Sequence, residues 1–297
     1  MQKIPGYLIA SLVCAVLLLG APALAATVRD MLGRTVDVAA PARRIVSLIP
    51  SVTETLYALD TEGQLIGVTT LCDFPPAVQE KPKVGGIVKP NIEAIVALKP
   101  DLVLATTEGN RDATFQDLEA LDLPVYVLSP KRFSGVLGSI RRIGSLTGRE
   151  AAAEALASEL RTRAARVSEA TSGRPAPRVL YLIWADPVVV PGRDTLITDL
   201  IRMAGGLSVS EDLAQDWPRL SLEQVVAKAP EVIVFGSHNS VHVENALSRW
   251  QEQVIVLPAL RSGRVHTVDG DLLHRPGPRV VLGLEALARA IHPGALP

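Results

Sequence analysis

Cysteine is almost missing from this 297-residue chain, which has only Cys14 and Cys72. Cys14 lies in an apolar leader, so Cys72 is left alone and no internal disulfide can form even in an oxidising compartment. Charge of one sign is missing too, with 30 basic residues against 31 acidic ones. A near-neutral balance argues against nucleic acid as a partner, because that would want a basic face. Aromatics make up only 4% of the chain, so any outside the predicted core strands become informative. Catalytic signatures are absent as well: there is no G-x-S-x-G elbow, H-E-x-x-H, P-loop or G-x-G-x-x-G. An α/β enzyme built from scattered Asp and Glu near strand ends stays open as the reading from another class.

The first apolar run is short. Lys3 gives a positive n-region, Tyr7 to Leu19 an apolar h-region, and Ala23-Leu24-Ala25 an A-x-A cleavage signal. That run falls short of the roughly 20 residues a membrane span needs, and no later stretch comes closer. Residues 1–25 therefore read as a signal peptide cleaved near Ala25, with export to the periplasm. Cys14 sits inside the h-region, the wrong place for a lipoprotein cysteine, so a free protein is expected. Losing Lys3 moves the formal charge from −1 to −2.

The remainder alternates strand and helix, which predicts parallel α/β sheets. Residues 27–40 read as a hairpin turning at Leu32-Gly33. Arg44 to Ile49, Leu65 to Thr69, Leu102 to Ala105 and Pro124 to Leu128 read as strands, the first a continuous apolar run suited to a buried parallel strand. Between them Val52 to Leu59, Ile92 to Leu98 (capped by Asn91) and Phe115 to Leu121 read as helices, and a capped helix follows from Phe133 to Ile143. The pattern restarts at Arg178 to Ile183 and ends with a strand over Arg264 to Val268, a loop from Asp269 to Pro278, and an amphipathic helix to about Ile291. We expect an N-terminal lobe over 26–130, a linker over 131–174, and a C-terminal lobe over 175–297.

Between the lobes, Thr147 to Ser172 reads as one long helix. Thr147 and Glu150 have capping-box spacing, and Gly173, Pro175 and Pro177 stop it. Ala153, Leu156, Leu160, Ala164 and Val167 form one apolar stripe. At 1.5 Å per residue it would be roughly 35–40 Å long, longer than one small lobe is wide. It is either a spine between two lobes or a surface helix on one of them. An internal echo favours the spine: Asn91 to Leu104 lies on Ser221 to Val234 without a gap, matching Glu93 to Glu223, Ala97 to Ala227 and Pro100 to Pro230. Duplication explains this, although helix–Pro–strand wording is common in α/β chains. Two Rossmann-like lobes joined by one backbone helix would leave strand-end loops lining a cleft, where ligands of open α/β sheets bind.

Those loops carry a resemblance. RRIVSLIPSVTETLYAL, CDFPP, NIEAIVALKPDLVLA, DWPRLSLEQVV and DLLHRPGPR, in that order, resemble the periplasmic substrate-binding proteins of ABC importers whose lobes are bridged by a helical backbone. D-[YF]-P-P with W-P-x-[LV]-S-x-E is most similar to the cobalamin-binding group. The resemblance covers nearly the whole mature chain. It implies a monomeric, non-catalytic protein without a catalytic cofactor or metal, which delivers cobalamin or a related corrinoid to a permease dimer. It implies Phe74, with Pro75 and Ser51, on one wall of the cleft and Trp217 on the other. Trp184, Asp186, Asp271 and Arg275 would hydrogen-bond amide arms or the nucleotide tail. Glu93 and Glu223 would dock into arginine pockets of the two permease subunits. Two aromatics of the pattern are missing, at Ile87 and Val189, which leaves the pocket less aromatic.

Haem and ferric siderophores remain alternative ligands of the same class. His238, His274 or a tyrosine could serve as a haem axial ligand, but Tyr57, Tyr126 and Tyr181 all fall inside predicted helix or strand. His238 and His242 have i, i+4 spacing without a third ligand nearby, which argues against free-metal capture. Cys72 adjoins the expected pocket and reads as a lone thiol. A single helix resists bending more than flexible strands do, so limited lobe closure and a nearly fixed separation of Glu93 and Glu223 are expected.

Overall fold

The computed structural model describes residues 24–236 and 257–296, together with Ser248 and Trp250. The apolar leader up to Ala23 and the His238–His242 pair lie outside them. Among the described residues no helix is long and apolar enough to cross a membrane.

The first lobe opens with the expected hairpin, β1 (Leu24–Arg29) paired antiparallel with β2 (Thr35–Ala40). Asp30 closes its turn, accepting the backbone N–H groups of Leu32 and Arg34. Then come β3 (Ile45–Ser47), α1 (Pro50–Ala58), β4 (Leu65–Val68), a 3-10 turn (Pro76–Glu80), α2 (Ile92–Ala97), β5 (Leu102–Thr106), α3 (Asp112–Glu119) and β6 (Val125–Leu128). The parallel sheet has the order β4-β3-β5-β6. Pro50 starts α1 at a position where its missing N–H costs nothing, and Asn91 caps α2 by accepting the Ala94 N–H.

Two helices follow, α4 (Phe133–Thr147) and α5 (Glu150–Thr171). They fold back on one another across Gly148 and Arg149. The bridging helix is present, but its expected capping box is not. Thr147 is the last residue of α4, and its hydroxyl donates back to the Ile143 carbonyl at 2.8 Å. Gly148 takes the left-handed conformation (φ 72°) that ends α4. Arg149, which has no side-chain cap bond, precedes α5. With 22 residues, α5 is about 33 Å long. Ala153, Ala157, Leu160, Ala164 and Val167 are buried along it, whereas Leu156 is only partly covered.

The second lobe contains β7 (Arg178–Leu182), β8 (Trp184–Ala185), β9 (Val188–Val189), α6 (Leu196–Met203), β10 (Leu207–Ser208), β11 (Arg219–Leu220), α7 (Leu222–Lys228), β12 (Val232–Gly236), α8 (Pro258–Arg261), β13 (Val265–Val268), α9 (Asp271–His274) and α10 (Val280–Ile291). Its parallel sheet has the order β10-β7-β12-β13, and β11-β9-β8 form a small antiparallel sheet. Ser221 and Gln224 make a full capping box on α7, so the echoed helices share their start. The loop expected from Asp269 to Pro278 contains one helical turn, α9.

Alternation along the strands sorts the core. Val103, Ala105, Val125 and Val127 face a cluster private to the first lobe, and Leu180, Leu182, Ile233 and Phe235 face one private to the second. The opposite faces, with Leu102, Leu104, Val179, Tyr181, Val232 and Val234, join one continuous cluster with the stripe of α5. The helix therefore joins two α/β lobes through shared apolar burial as well as through the chain.

Candidate ligand-binding cleft

Two tryptophans dominate the mouth of the second lobe. Trp184 sits on β8, paired with Val189 of β9, and is 66% exposed. Trp217 precedes β11 and is 47% exposed. Its loop is held by two backbone bonds, from the Gly192 N–H to the Asp216 carbonyl (2.9 Å) and from the Arg193 N–H to the Leu213 carbonyl (2.8 Å). The approach is so close that a Cβ at Gly192 would lie 1.7 Å from the Gln215 carbonyl oxygen. Glycine there decides where Trp217 stands.

Both rings line a cleft of about 370 Å³, within the range of small-molecule sites. Ile183, Val189, Leu196, Ile197 and Leu273 give it an apolar wall, with Pro276 and His274 beside them. Glu108 and Pro130 line it from the first lobe. The Tyr181 hydroxyl lies 2.9 Å from His274 Nε2, and burial pushes that phenol well above its ordinary value. Glu108 is half-buried, and burial raises its carboxyl above the usual carboxylate range. The sequence reading did not single out Glu108. A glutamate in the loop after a parallel strand was the available signal.

Two ionic zones join the lobes beside the cleft. In one, Lys131 pairs with Asp216 at 2.8 Å and Arg132 with Asp194 at 3.2 Å. The Phe133 N–H, which no local side chain caps, donates to Asp199 of α6 in the opposite lobe. In the other zone, Glu54 of α1 accepts from Arg279 Nε (2.8 Å), Arg279 Nη2 (2.6 Å) and Arg275 Nη1 (3.2 Å). Arg275 also reaches Asp73 at 2.6 Å and Asp271 at 2.7 Å. The Arg275 hydrogen bond holds the Asp73 carboxyl below the usual range. Glu54, Asp73 and Arg279 escaped the sequence reading, because they meet only through tertiary folding.

The expected site residues thus divide. Trp184 and Trp217 line the cleft together. Phe74, 42% exposed, lies under the Arg279 guanidinium at 4.1 Å and belongs to the second ionic zone, as do Asp271 and Arg275. Pro75 precedes the 3-10 turn, and its carbonyl accepts the Val78 N–H. Ser51 is buried in α1 against Gly277. Asp186 is exposed in the turn between β8 and β9. Cys72 is fully buried, with its sulfur 3.2 Å from the hydroxyls of both Thr53 and Thr69, so it does not touch the cleft. Glu93 and Glu223 are exposed in the first turns of α2 and α7. Among the described residues no group of His, Cys, Asp and Glu could hold a metal ion.

Two α/β lobes, a bridging helix and an apolar cleft lined from both lobes give the architecture of a two-lobed ligand-binding protein. Residues 45–272 match the periplasmic binding protein family, and the chain belongs to it. It is 29% identical over 247 residues to the vitamin B12-binding protein of Vibrio vulnificus strain CMCP6, covering 83% of this chain and 89% of that one. Among solved structures, the periplasmic vitamin B12 binding protein BtuF of Vibrio cholerae is 26% identical with a TM-score of 0.76, over 84% of this chain and 97% of that one. A periplasmic haem-binding protein from Pseudomonas aeruginosa is 29% identical with a TM-score of 0.75, over 86% and 95% of the two chains. Membership makes the protein a periplasmic, non-enzymatic carrier of a small-molecule ligand that works with an ABC importer.

Proposed function

We propose that the protein captures cobalamin or a related corrinoid between its lobes, as a monomer, and delivers it to a permease dimer that recognises Glu93 and Glu223. The observation that carries this reading is the pair of exposed indoles, Trp184 and Trp217, on one apolar cleft. A corrin is a broad, largely apolar disc edged with amides, and flat rings on an apolar wall complement such a face. The vitamin B12-binding relatives support the same ligand. Residues 1–25 act as the export signal. Glu93 and Glu223, one on each lobe and each exposed at an echoed helix start, suit bidentate pairing with arginines of a two-fold partner.

Parallel calorimetric titration with cyanocobalamin, haem and a ferric siderophore tests the reading. One-to-one binding of cyanocobalamin is expected, and heat with haem alone refutes it. Haem is the second reading, favoured by His274 at the cleft with Tyr181 behind it. In that case a change in the Soret absorbance would be lost in His274→Ala.

A further inference from the structure

We propose that Glu108 is a specificity residue that selects amide-bearing ligands and rejects carboxylate-bearing ones. The inference rests on the corrinoid reading for the identity of the ring, but its charge logic holds for any flat ligand. Glu108 reaches the cleft from the loop after β5. That loop is fixed: buried Asn110 accepts the Thr106 N–H and donates to the Leu48 and Ile87 carbonyls, while the Glu108 N–H donates to the Thr106 hydroxyl. The backbone that carries Glu108 is thus fixed before any ligand arrives.

Its surroundings leave it short of partners. Among the described residues its side chain makes no hydrogen bond or ion pair, although it is half-buried. The nearby ammonium of Lys131 is committed to Asp216 at 2.8 Å. Neither Lys nor Arg is among the cleft-lining residues described. Arg275 and Arg279, the cations of the neighbouring zone, are engaged by Glu54, Asp73 and Asp271. A ligand carboxylate entering here would meet a like charge, with Lys131 the one nearby cation and already shared with Asp216, whereas an amide N–H offers the donor that Glu108 lacks. Unpaired polar groups and like-charge contacts are the usual means by which a site rejects the wrong ligand.

The test compares four probes, cobinamide against cobyrinic acid and haem against haem dimethyl ester, titrated into wild-type protein, Glu108→Gln and Glu108→Ala. Each pair keeps one ring and exchanges neutral arms for carboxylates. The wild type should prefer cobinamide over cobyrinic acid by on the order of 10- to 100-fold, and both variants should compress that ratio. An unchanged ratio in the variants overturns the role of Glu108 while leaving the corrinoid reading in place. Failure of both corrinoids to bind, with a preference for the haem ester that Glu108→Gln erases, refutes the corrinoid reading and upholds the charge selection. A wild-type preference for either carboxylate-bearing probe overturns the inference, and binding of none of the four overturns both.

Discussion

Neutralising Glu54 should be among the most damaging conservative substitutions in the molecule. Its side chain is only 3% accessible, yet it accepts three charge-assisted hydrogen bonds from Arg275 and Arg279 of the other lobe. Removing one partner of a buried ion pair costs about 3–5 kcal/mol, because the charge left behind is desolvated. Two features put Glu54→Gln at the lower end. The amide keeps one acceptor oxygen, and Arg275 retains Asp73 at 2.6 Å and Asp271 at 2.7 Å. The expected loss is therefore about 3 kcal/mol, or roughly 5 °C in melting temperature for a chain of this size. Urea unfolding followed by circular dichroism, with the slope unchanged, gives the number. A loss below about 1 kcal/mol, the range of exposed pairs, would refute the claim that this cluster joins the lobes.

Other perturbations address different parts of the molecule. Asp73 has a lowered carboxyl pKa, so its stabilising contribution is present above the unfolded value of about 3.9 and lost as pH falls through the folded one. Asp73→Asn should melt below wild type at neutral pH and level with it near pH 2, by no more than about 1 kcal/mol because the side chain is half exposed; a deficit that persists in acid would contradict this. Gly192→Ala must push the Gln215 carbonyl away and carry Trp217 with it, lowering ligand affinity about tenfold or more; titration with cyanocobalamin reads the change. Reversing charge at both Glu93 and Glu223 should abolish uptake in cells while cyanocobalamin affinity stays intact; lost affinity would contradict a docking role. Small-angle scattering should show little compaction on ligand addition, and a large one would rule out the stiff bridge.

The fold was legible where local chemistry decides it. Continuous apolar runs such as Leu102 to Ala105 are buried strands, and Asn91 and Ser221 cap their helices as their residue types predict. The Thr147–Glu150 box misled because the same spacing occurs where Gly148 ends one helix and Arg149 begins the next. The two tryptophans were singled out by the family resemblance, with the scarcity of aromatics making them conspicuous, and both line the cleft. Glu54 with Arg279 was not, since 225 residues separate them and only the packing of the lobes brings them together. Phe74 illustrates the intermediate case. Its exposure follows from its loop, but the arginine over its ring comes from the far end of the chain.

The echo between Asn91 and Ser221 has a sequel in the core. Whatever the origin of the two halves, their interiors are no longer fully separate: beside the cluster private to each, one apolar cluster runs from Val36 through the α5 stripe to Ile291. A half-chain cut between α4 and α5 would present to water the face its sheet now shares, and would clump or seek a second copy. Hydrogen exchange in the two sheets should accordingly report one opening event, with amides of β5 and β12 released together. The protein has two lobes to the ligand but one folding unit to the solvent.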